Sequence, residues 1–167
     1  MNQGVHNVDL LQWLAGPVES VTAQSATLAH APGAEDTMVA TVRFTSGALG
    51  LISTSTATPP GSPATLTLHC ERGVVEIGQG ETLRWDVDGV PAPAIGAEGE
   101  GIGVGASDHT AIGIAGHVQQ WTDILAALRE GRDSVISGHD GAETVRLLDA
   151  LTIAADTGRL VSLEELR

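Results

Sequence analysis

Between Thr37 and Phe44, the apolar Met38, Ala40, Val42 and Phe44 alternate with Thr37, Thr41 and Arg43. A period of two places successive side chains on opposite faces, the pattern of a strand with one face covered. Thr45-Ser46-Gly47 follows as a three-residue turn with glycine where a positive φ is wanted, and Leu49 to Thr58 reads as the returning partner. Strands joined so closely pair antiparallel, because a parallel partner needs a crossover of about a dozen residues. The device recurs: Ala64 to Cys70 and Val74 to Ile77 flank Glu71-Arg72-Gly73, and Thr82 to Val87 adds a strand containing Trp85. Val18 to Leu28, rich in Val, Thr and Ser, reads as a strand before the first hairpin. Pro59-Pro60-Gly61-Ser62-Pro63 interrupts the sheet between the two hairpins. Cys70, in the alternation Leu66, Leu68, Cys70, reads as a small buried hydrophobe.

Helical periodicity appears at both ends. Val5 to Leu14 contains neither Pro nor Gly, and Gly16-Pro17 stops the run, predicting a helix over 5–15. Its apolar Val5, Val8, Leu11 and Leu14 cover most of the circumference, so the helix is expected to be buried. His6, Asp9 and Trp13 share the remaining quadrant at spacings of three, four and seven. Two readings of His6 are open: a core histidine bonded to Asp9, or a proton donor and acceptor lying over a ligand. A helix over 117–130 puts Val118, Trp121, Leu125 and Leu128 on one stripe and ends at Gly131. Another over 140–157 opens with Asp140-Gly141-Ala142-Glu143, read as a capping box, and turns Val145, Leu148, Leu151 and Ala155 to the core. Residues 88–116, dense in Gly, Ala and Pro, read as a long mobile loop, and Leu160 to Leu163 as an edge strand. The whole is expected to be one α+β domain over 1–167, with a broad, mainly antiparallel sheet over 18–87 and helices packed on one face.

Charge and composition exclude several functions. The formal charge is −13, and all eight bases are arginine. Nucleic acid and anionic membrane surfaces are poor partners for such a chain, since phosphate contacts need basic side chains. Without lysine there is no Schiff base and no Walker A motif. A single cysteine excludes an internal disulfide and a cysteine-based zinc site. No signal segment opens the chain and no run is long enough to span a bilayer, so a cytoplasmic protein is expected.

The order of these elements, with the words G-V-H-N-V-D-L-L-Q-W-L-A-G-P-V, A-T-V-R-F-T-S-G-A-L-G, E-R-G-V-V-E-I and H-D-G-A-E-T-V-R-L-L-D-A, resembles the C-terminal domain of the Gfo/Idh/MocA oxidoreductases. The resemblance covers nearly the whole chain. It implies a domain that binds a sugar, polyol or related alcohol and makes oligomer contacts, joined in full-length relatives to a Rossmann domain holding NAD or NADP. The family's D-x-G-x-H segment corresponds to Asn2-Gln3-Gly4-Val5-His6. On that correspondence His6 shuttles the substrate's hydroxyl proton, and Asn2, in the acid's place, orients the histidine or the substrate but takes up no proton. The family's lysine and its G-x-G-x-x-G fingerprint are missing from the sequence.

The reading that follows is a substrate and oligomerisation domain of an NAD(P)-dependent oxidoreductase, expected to form a homo-oligomer through its Thr/Ser-rich sheet face. It is either cut from a longer enzyme or standing alone as a remnant. No cofactor is expected on this chain by itself, and the fragment alone is expected to be inactive. His6 and Asn2 are the catalytic candidates, and His117 and Asp9 the substrate-binding ones. Bracing of the helix by Asp9 and Trp13, and simple solvation of His117 and of His139, are the alternatives. A non-catalytic, sheet-mediated dimerisation or binding module is the second function class. A cofactor-free hydrolase using His6 with Asp9 is the third.

Overall fold

A computed structural model describes residues 4–31, 33–78, 81–93 and 114–166. Asn2 and most of the Gly-rich segment read as a mobile loop lie outside the described residues. The chain divides into two compact units, one formed by Met1–Pro60 with Ser137–Arg167 and the other by Gly61–Ile136.

The first unit contains helix α1 (Val5–Ala15), strands β1 (Val18–Ala26), β2 (Thr37–Phe44) and β3 (Leu49–Ser55), helix α3 (Gly138–Thr157) and strand β7 (Val161–Ser162). Its sheet runs β3-β2-β1-β7 and every pairing is antiparallel. Val21 sits opposite Val42, Ala23 opposite Ala40, and Ala40 opposite Ile52, so one face is lined by small and branched apolar residues. A register shift between Val18 and Ser20 marks a β-bulge, which lets Val18 and Val21 both be buried despite their odd spacing. Phe44, the sole phenylalanine, fills the core beside Gly50, where a Cβ would come within 3.1 Å of its ring. Helix α3 packs on β1.

Two details of α3 differ from the sequence expectation. Its buried stripe is Thr144, Leu147, Ala150, Leu151 and Ala154, while Val145 is exposed. The capping box is set three residues earlier: Ser137 Oγ accepts the Asp140 N–H, and the Asp140 carboxylate accepts the Ser137 N–H at 2.7 Å. Two overlapping words of this kind, Ser137-x-x-Asp140 and Asp140-x-x-Glu143, lie at the start of this helix, and the one whose first residue is extended wins, because an N-cap needs non-helical backbone.

The second unit contains β4 (Leu66–Cys70), β5 (Gly73–Ile77), β6 (Thr82–Val87) and helix α2 (Ala115–Glu130). The three strands form a separate antiparallel sheet. The strands therefore make two sheets with the proline-rich segment between them. Proline supplies no N–H to continue a ladder. Gly73 is obligatory in this sheet: its φ is +151°, and a Cβ there would meet the Asp86 carbonyl oxygen at 1.9 Å. Cys70 is exposed, contrary to the sequence reading: no residue of β4, β5 or β6 is fully buried, so the alternation in β4 does not mark a covered face. The loop after α2 is pinned by Asp123, which accepts Arg132 Nη2 at 2.9 Å and the Val135 N–H at 2.7 Å. Those donors, the backbone N–H foremost, hold its carboxyl below the usual range.

Candidate functional site

Helix α1 presents the candidate residues. It buries Val8 and Leu11, a narrower face than the sequence implied, and Trp13 stands 76% exposed. His6 and Asp9 are also exposed, so the predicted quadrant is the solvent side of the helix. Two anchors hold α1 on either side of His6. At its start Gly4 lies so close to β3 that a Cβ would come within 2.5 Å of Thr54 Cγ2. The stiff, β-branched threonine offers little room to give, which is the physical reason for glycine at this point of the segment. One turn beyond His6, the Asp9 carboxylate accepts a hydrogen bond from the Thr144 hydroxyl of α3 at 2.5 Å. Asp9 is thus bonded to α3 and not to the imidazole.

This arrangement can do one kind of chemistry. A surface imidazole on a helix fixed at both flanks can exchange a proton with an alcohol laid over it, provided the hydroxyl comes within about 2.6–3.2 Å. His117 is exposed on the first turn of α2 in the second unit. His139 is exposed near Glu143 at 3.7 Å, a surface ion pair of helical spacing. Among the described residues no group of three or more His, Cys, Asp or Glu is placed to hold a metal ion, and no helix is long and apolar enough to cross a membrane. The described strand pairs are all antiparallel, so they offer no crevice at the carboxyl ends of parallel strands, where a dinucleotide would sit.

Sequence reasoning missed Thr144 and the role of Gly4. Thr144 was detectable as the polar member of an otherwise apolar helical stripe, but its partner lies 135 positions away. No local pattern could pair them.

Comparison with known proteins gives the following. Residues 1–76 match the family model described as the GFO/IDH/MocA C-terminal domain. A search of curated proteins finds no match to the chain. Among solved structures, the WlbA dehydrogenase from Bordetella pertussis, in complex with NADH and UDP-GlcNAcA, is 31% identical with a TM-score of 0.76, over 97% of this chain and 44% of that one. The WlbA dehydrogenase from Chromobacterium violaceum, with the same two ligands, is 32% identical with a TM-score of 0.75, over 97% and 45%. GenD2 from gentamicin A biosynthesis, in complex with NAD, is 25% identical with a TM-score of 0.69, over 96% and 46%. The chain spans less than half the length of these structures.

Proposed function

Because the chain belongs to the Gfo/Idh/MocA family as its C-terminal-type domain, we propose that it is the substrate-binding and oligomerisation domain of an NAD(P)-dependent oxidoreductase acting on a sugar, polyol or related alcohol. The observation that carries this reading is the exposed His6, set between two anchors on α1. In this reading the imidazole accepts the proton of the substrate hydroxyl during oxidation and returns it during reduction. Asn2 and Asp9 lie on the same segment, Asn2 to hydrogen-bond the substrate or the histidine and Asp9 to hold the helix. His117 is a further candidate for substrate contact. In this reading the dinucleotide is held chiefly by a Rossmann domain outside this sequence, which the antiparallel pairing of every described strand supports. The nucleotide-sugar acid held by the WlbA structures is the first substrate to try, on the strength of 31–32% identity over 97% of the chain.

The test is kinetic, on the enzyme that carries this domain. NAD(P) reduction with UDP-GlcNAcA and a panel of sugars and polyols is compared between wild type and His6→Ala. Loss of a positioned general base is expected to lower kcat/KM by about 10²–10⁴-fold. Turnover undiminished in His6→Ala would contradict the reading.

The open face of the first sheet supports the assembly role. There Leu51 is 83% and Leu49 72% exposed, and through the ladder they stand opposite Thr41 and Arg43. Thr22 and Thr41 join their hydroxyls at 2.6 Å on the same face. A partly apolar, regular sheet face of this kind suits an isologous pairing with a second copy. The same observation is what a non-catalytic dimerisation module would show, and His6→Ala separates the two.

A further inference from the structure

Helical threonines ordinarily turn their hydroxyl back to the carbonyl four residues earlier. Among the described residues Thr122 bonds Val118 at 2.7 Å, Thr152 Leu148 at 3.0 Å and Thr157 Ile153 at 2.6 Å. Thr144 is the longest of the set, 3.4 Å from the Asp140 carbonyl, and has a second acceptor, Asp9 Oδ1, at 2.5 Å. A hydroxyl has one proton, and the short contact to an ionised acceptor takes it. Thr144 is also 6% exposed while Asp9 is exposed, so the bond forms at the part-buried edge of the seam where α1 meets α3. The acceptor stands one turn from His6 on the same helix. The opposite flank of His6 is held by the tight approach of Gly4 to Thr54.

We propose that Thr144 is a positioning residue for His6, acting through Asp9 to fix the rotation and height of α1 on α3. The proposal rests on the proton-transfer reading of His6 given above. Burial of Val8 and Leu11 sets which face of α1 looks inward, but apolar contacts are not directional, and a displacement of about 1 Å at a reacting group costs up to about 10²-fold in rate. The Asp9–Thr144 bond adds a directional attachment that narrows the rotation left to the helix. Asp9 in this view serves the substrate by holding the helix and not by touching ligand.

The experiment uses the enzyme carrying this domain, with Thr144→Val, Thr144→Ser, Asp9→Ala and the double variant Thr144→Val with Asp9→Ala. Amide hydrogen exchange over Val8–Gln12 and steady-state kinetics are read together. In Thr144→Val, exchange in α1 is expected to rise about tenfold, as befits one lost hydrogen bond to a charged group, and kcat to fall about tenfold or more with KM little changed. Thr144→Ser restores both. Asp9→Ala, which opens no buried cavity, reproduces Thr144→Val, and the double variant is no worse than either single one. Unchanged exchange overturns the tether. Faster exchange with unchanged kcat, or a rise in KM alone, overturns the positioning role. Should His6→Ala itself leave turnover intact, the functional reading fails and the positioning role with it, while the exchange data still report whether the hydroxyl holds the helix.

Discussion

Asp36 shows how one carboxylate can hold a loop. It is buried, and it accepts the backbone N–H groups of Leu28, Ala29 and His30 at 2.8–3.0 Å, with Thr37 Oγ1 at 3.1 Å and His30 Nδ1 at 3.3 Å. The backbone donors, led by Ala29, hold its carboxyl far below the ordinary value of 3.8. A depressed folded-state pKa stabilises the protein above the unfolded value, and that stabilisation is lost as pH falls through the folded one. Asp36→Asn should therefore lower Tm at pH 7, with the gap to wild type narrowing as pH falls below the ordinary carboxylate value. A gap that does not change with pH, followed by thermal melts, would refute this role. Gly4 makes a second prediction at this scale. Gly4→Ala forces a Cβ into Thr54 Cγ2 and should displace the start of α1. In the enzyme, kcat should then fall without a matching loss of global stability. An unchanged kcat would show that the approach to Thr54 does not matter to the site.

At the scale of elements, local chemistry is written plainly in the sequence and partnership is not. The turn glycines, the period-two strands and the Gly16, Gly131 and Gly158 helix ends are all visible locally, and α1, β2 and β6 begin and end where their patterns do. What a helix buries depends on where its neighbour lies. Val145, Leu148 and Ala155 read as well as a core stripe as Leu147, Ala150 and Ala154 do, and only the sheet beneath α3 chooses. Trp121, on the apolar stripe of α2, is 61% exposed for the same reason: periodicity states that a face is apolar, not that it is covered. The capping box is decided by backbone, so the structure can be tested against the sequence there. Ser137→Ala should cost about 1 kcal/mol, a Tm drop of about 2–4 °C in a chain of this size. Glu143→Gln should cost less than Ser137→Ala, since it gives up an exposed contact to His139 and a half-buried pair with Arg146 to which the amide oxygen can still accept. The reverse order would place the helix start at Asp140.

For the molecule as a whole, the candidate site was partly legible. His6 stood out by residue type and by its place on a short helix, and the family resemblance gave it a role. The anchors that make it useful, Thr54 for Gly4 and Thr144 for Asp9, are distant in sequence and needed the fold. The exposed Leu49 and Leu51 on a regular sheet predict that the protein self-associates. Leu51→Glu puts a charge on that face and should shift the protein toward monomer in light scattering, with its circular dichroism unchanged. A wild type that is monomeric at high concentration would contradict the assembly role. The site itself is tested most directly by determining the structure of the enzyme carrying this domain with cofactor and a sugar-type substrate bound. A nitrogen of the His6 imidazole should lie within about 2.6–3.2 Å of the hydroxyl being oxidised. An imidazole facing solvent, with another proton acceptor at that hydroxyl, would contradict it.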